Sequence, residues 1–147
     1  MAVANDDCEE SLRRFDVALF IVHPTIDPAE ISNALDLVGH FVHGVGEPRR
    51  TPTGRELEGH YRDTRWRHSV RHEVRKQHFS AEVTSFVDSL VPHRTFLNSL
   101  REGGGRAQVI IAFLDGYFGD ELPRAVLAKM AELGLDLGIE CFEVPQQ

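Results

Sequence analysis

Cysteine is nearly missing from this chain of 147 residues: Cys8 and Cys141 are the two it has. They form no CxxC pair, which excludes a disulfide framework and a cysteine-built zinc site and fits a reducing cytoplasm. Long apolar runs are missing too. The longest, 17–22 and 109–114, fall far short of the ~20 residues a membrane span needs. Residues 1–10 are polar and acidic with no apolar h-region, so no secretory signal is expected. Catalytic signatures are absent as well: there is no GxSxG elbow, P-loop or kinase set. Gly44-Val45-Gly46 opens like a dinucleotide loop, but Pro48 follows where a third glycine and a helix are needed.

What is present is an ordinary globular composition, 41% hydrophobic and 27% charged. A chain of this length can bury about 70% of its unfolded surface, enough for one domain without metal or disulfide support. Residues 1–12 read as a frayed acidic tail and 13–147 as the domain.

Charge is unevenly placed. Between Arg49 and Lys76 nine basic residues stand against four acidic ones, a local balance of +5 on a chain of net charge −7, so the remainder carries −12. Such a band must face something: the acidic body itself, an acidic partner or a nucleic acid. The overall negative charge opposes generic phosphate binding, so nucleic acid is the disfavoured partner.

Hydrophobic pattern gives the elements. Residues 15–22 and 107–114 read as buried strands, and 135–144 as a last strand. Helix one is signalled by Asp27 as N-cap, Pro28 at the first helical position, Glu30 in a capping box and Gly39 as the stop. Glycine and proline between 44 and 59 leave loop or short edge strand there. The stretch 61–74 fits two periods. As a strand it puts Trp66, His68, Val70 and His72 on one face and Arg65, Arg67, Ser69 and Arg71 on the other; as a helix it aligns Trp66, Val70 and Val74. Strand is preferred for 61–70 because it separates the charges cleanly. Ser80 caps a second helix, Pro92 breaks it, 93–101 forms a short helix, and Asp120 caps another that stops at Gly134.

The order is β-α-β-β-α-α-β-α-β. It predicts an α+β fold with a mixed, mostly antiparallel sheet and helices packed on it, ferredoxin-like over the first six elements with an αβ extension.

Candidate sites follow from this layout. On a helix, His68 and His72 would share a face suited to a metal ion; on a strand they lie roughly 13 Å apart. An HExxH reading fails because Lys76 stands where the second histidine belongs. His23, His40 and His43 are loop or surface candidates. The loop 115–120 places Tyr117 and Phe118 between a strand end and a helix start, a position suited to a ligand. The basic face offers Arg62, Arg65, Arg67 and Arg71, with Trp66 beneath.

The glycines of 44–47, Trp66-Arg67-His68-Ser69, the break at 90–92, Leu97-Asn98-Ser99-Leu100 and the run 127–140 resemble an uncharacterised bacterial family, domain of unknown function 4279. The resemblance spans about 15–144. It implies a small soluble bacterial α+β domain and no reaction, with no catalytic residues to carry over. The expectation is a cytoplasmic, non-enzymatic module that binds an acidic protein through the basic strand face, without a cofactor. The alternatives are a small-molecule or metal binder or small enzyme built on the 115–120 loop and the histidines, and an immunity protein of a toxin system. An exposed sheet edge leaves a homodimer open.

Overall fold

The computed structural model describes residues 12–75, 79–115 and 119–142. Its centre is β1 (Arg13–His23), whose alternation separates two faces. Phe15, Val17, Leu19 and Ile21 are fully buried on one. Asp16, Ala18, Phe20 and Val22 lie on the other. The 11 residues of β1 pair antiparallel with β5 (Thr64–Val74) along their whole length, and with β6 (Arg106–Phe113) on the opposite side. Short β2 (Phe41–His43) joins β5 antiparallel at one edge, and β7 (Leu135–Cys141) runs parallel to β6 at the other. The five-stranded order is β2-β5-β1-β6-β7.

Among the described residues four α-helices supply one layer: α1 (Pro28–Leu35), α2 (Ser80–Leu90), α3 (Arg94–Glu102) and α4 (Arg124–Glu132). Ile31, Leu35, Val83, Val87, Leu97, Leu100, Val126 and Met130 from these helices share one core with the odd-numbered side chains of β1. The sheet's other face carries no helix among the described residues. The α+β class and the mixed, mostly antiparallel sheet are as expected. Without β7, strands β2-β5-β1-β6 are antiparallel at every contact, with β5 inserted between β1 and β2, which is the split βαβ order expected of the first elements.

The middle of the chain holds more strand than anticipated. Besides β2, it forms a separate two-stranded ribbon of β3 (Pro48–Arg50) and β4 (Glu56–His60), every residue of which is exposed. The ambiguous stretch is strand to Val74, because β1 offers a continuous antiparallel partner that far.

Helix boundaries show where tertiary contacts overrule local signals. Asp27 caps α1 as expected, accepting from Ala29 N at 2.9 Å, with Pro28 at the first position. The helix stops earlier than expected, at Leu35: Asp36 takes the left-handed conformation (φ 52°) and its N–H bonds to Ser32 O. Gly39 is thereby freed from capping and lies against Trp66. Ser80 begins α2 instead of capping it. Asp120 accepts from Ser80 N at 2.9 Å, capping a helix 40 positions upstream, while α4 starts only after Pro123. The acidic tail expected over 1–12 lies, Leu12 excepted, outside the described residues.

Candidate functional site

The alternation of β5 sends Arg65, Arg67 and Arg71 to the helix-free face and Trp66 into the core, fully buried. Trp66 Nε1 donates to Ser32 Oγ at 3.0 Å. The arginines do not stand unpartnered. Arg65 Nε reaches Asp63 at 3.1 Å. Arg71 grips Asp16 on neighbouring β1 with two bonds. Arg67 meets both carboxylate oxygens of Glu140 at 3.3 Å. Glu140 is on β7, so that pair must pass over β1 and β6. This explains why Ala18, Ile110 and Ala112, on a face without helices, are 0%, 3% and 1% exposed. Arg67 and Arg71 are thus engaged with the acidic body of their own chain, and Arg65 with an acid of the band itself.

The concave surface lies to one side, between edge strand β2 and the ribbon. Tyr61, just after β4, is the hinge between them. Its N–H donates to Glu47 O and its carbonyl accepts from Gly46 N, while its hydroxyl accepts from Arg50 N at 3.1 Å. Its ring stacks on His43 of β2 (centroids 4.0 Å, 16° between planes), and His43 touches Phe41 at 4.4 Å. Two hollows of about 690 Å³ each flank this stack, within the size range of ligand clefts. One is walled by Phe41, Val42, Pro48 and Pro52; the other is rimmed by Arg49, His60, Arg62 and the Asp63–Arg65 pair.

Charge at this rim is only partly balanced. Arg50 reaches Glu56 at 3.5 Å, and Arg49 donates to the backbone carbonyl of Glu58 and pairs with no carboxylate among the described residues. Among the described residues Arg62 has no acidic side chain within ion-pair distance. Partial burial, with Arg65 adding to it, holds the His43 imidazole below its ordinary range despite Glu47 and Asp63 nearby, which favours the neutral ring. The cleft can therefore accept an apolar side chain on one side of the stack and a carboxylate on the other.

The candidate residues distribute as follows. Arg62 and Arg65 border the cleft, whereas Arg67 and Arg71 form the cross-sheet pairs. His68 and His72 lie two pleats apart and do not converge. His68 Nδ1 bonds to Val38 O at 2.7 Å and its ring stacks on His40, while His72 faces Glu82. No group of three or more His, Cys, Asp or Glu side chains is placed to hold a metal ion among the described residues. Residues 116–118, and so Tyr117 and Phe118, lie outside the described residues. Phe41, His43, Arg49 and Tyr61 were not singled out by sequence as one site. The glycines and prolines around them marked loop or short edge strand, and nothing local says that residue 43 meets residue 61.

No described helix is long and apolar enough to cross a membrane. Compared with known proteins, residues 13–141 match a family model described as a domain of unknown function (DUF4279). No curated protein and no solved structure matches the chain.

Proposed function

The chain belongs to the family described as domain of unknown function (DUF4279), and from that premise, which brings no reaction with it, we propose a non-enzymatic binding module for an extended acidic segment of a protein partner. The segment lies in the cleft between β2 and the β3–β4 ribbon. The observation that carries this is the pairing of an open edge strand with a rim whose Arg49 and Arg62 meet no carboxylate among the described residues. Edge strands recruit extended peptides by completing the ladder, and pockets beside them select side chains. Phe41 and Val42 are each 44% exposed on that edge. The ribbon has no core of its own, and a two-stranded ribbon is marginal alone, so an occupant that packs against it supplies what it lacks.

This reading moves the contact surface from the centre of the sheet to its β2 edge, since Arg67 and Arg71 are engaged by Glu140 and Asp16. A bacterial cytoplasm suits it, the exposed Cys141 being a free thiol. An immunity role is one form of the same activity, in which the acidic partner is a toxin.

The test is a screen of extended peptides that vary in acidic and aromatic content, read by fluorescence anisotropy. Acidic peptides with one large apolar residue should bind, more weakly as salt rises. Arg49→Glu with Arg62→Glu should lose them by tenfold or more, about 1.4 kcal/mol, while Arg124→Glu on distant α4 keeps them. Equal binding by all three proteins, or no preference for acidic peptides, overturns the proposal.

A further inference from the structure

At the far edge of the sheet, no described strand pairs with the outer side of β7. Phe142 N donates to Phe113 O, so the even-numbered residues of this strand direct their backbone groups to β6. Leu135, Leu137, Ile139 and Cys141 therefore direct theirs away from the sheet. The 7 residues of β7 contain no Pro, Lys or Arg, the residues with which natural edges resist pairing. On the helix-bearing face the cover thins along the strand: Leu135 is 6% exposed, Leu137 38% and Ile139 64%. Leu127 of α4 and Phe142 are exposed nearby.

We propose that β7 pairs antiparallel with β7 of a second copy, about a two-fold axis at Ile139, joining two five-stranded sheets into one. Side-chain parity and charge select the register. Pairing of like faces across a two-fold must be centred on a residue. Centring on Gly138 sets Asp136 opposite Glu140 of the second copy, two acids face to face. Centring on Leu137 uses the already buried Leu135 and leaves Phe142 beyond the pairing. Centring on Ile139 sets Ile139 against itself, Leu137 against Cys141 and Gly138 against Glu140, with no acid facing another.

That register also seats Phe142. It falls opposite Asp136 of the second copy, beside a hollow of about 40 Å³ lined by Phe20, Val22, Arg106, Gln108 and Asp136. Each copy thus offers one ring and one hollow, the reciprocity that a two-fold interface requires. Because the axis is perpendicular to the sheet, both helix layers fall on the same side, and the exposed Leu137 and Ile139 of each copy cover those of the other.

Sedimentation velocity of the full chain, from low micromolar to near-millimolar concentration, tests the pairing. Wild type should shift from monomer to dimer. Ile139→Lys, which puts two like charges on the axis, should stay monomeric with an unchanged circular dichroism spectrum. Phe142→Ala should weaken the dimer about tenfold. Leu137→Cys in a Cys8→Ser background distinguishes registers: on oxidation it should cross-link to Cys141 of the second copy, its opposite in this register alone, giving a covalent dimer that a reducing agent dissolves. A monomeric wild type, a dimeric Ile139→Lys, an unaffected Phe142→Ala or a Leu137→Cys that does not cross-link overturns the proposal.

Discussion

Gly39 lies directly against the indole of Trp66: a Cβ placed on it would sit 2.5 Å from Nε1 and 2.8 Å from Cδ1. A side chain on residue 39 would crowd the nitrogen that makes the part-buried Trp66–Ser32 hydrogen bond. The contact joins the exit of α1 to the inner face of β5, and so fixes where β2 begins.

Gly39→Ala should therefore destabilise the fold by roughly 1–3 kcal/mol, the usual cost of overpacking. Ser32→Ala should cost about 1–2 kcal/mol by leaving the indole N–H without its acceptor. Urea unfolding followed by the emission of the single tryptophan measures both. An unchanged midpoint for Gly39→Ala would show that the indole has room to move.

Asp120 caps α2 from across the chain, so its loss should be felt there. Asp120→Ala should cost about 1 kcal/mol and Asp120→Asn much less, because asparagine still offers an acceptor. Hydrogen exchange at the first turn of α2 should rise in the alanine variant alone.

His23 is 7% exposed, and its Nδ1 accepts from both Thr25 N and Ile26 N, at 3.0 and 2.9 Å. Burial lowers its pKa, against a smaller opposing pull from Glu30. With the folded value below the unfolded one, the unfolded chain binds the proton first. The contribution is complete above the unfolded value of about 6.5 and is lost as pH falls from there to the folded value. His23→Asn keeps an acceptor without the titration. Its urea midpoint should fall less than that of wild type between neutral pH and pH about 5; parallel slopes would remove His23 from the account.

Arg67 and Glu140 are partly shielded, with side chains 24% and 38% exposed. A double-mutant cycle on Arg67→Met and Glu140→Gln should give a coupling of about 0.5–1 kcal/mol, reduced in high salt. Zero coupling at low salt would mean that the bridge over Ala18 and Ile110 is a surface contact without energetic weight.

Legibility in the sequence followed the range of the interactions. The strands β1 and β6 were readable because a buried strand is a short apolar run, and α1 because Asp27-Pro28 is a local signal. The face assignment of Arg65, Trp66 and Arg67 came from parity alone and holds. The stop at Gly39 and the caps assigned to Ser80 and Asp120 were misread, and the three short strands within 41–60 were legible only as loop or short edge strand. Each depends on a partner far along the chain: Trp66 for Gly39, the α2 terminus for Asp120, and β5 and Tyr61 for the short strands. The candidate site was legible in its charge and illegible in its shape.

The sequence by itself determined the class of fold, the two faces of β5 and the concentration of positive charge, because alternation, periodicity and composition are local properties. Only the tertiary structure decided which arginines are spent within the chain and which border a cleft. An ion pair such as Arg67 with Glu140 needs two strands brought to opposite sides of one sheet, and no spacing along the chain records that distance.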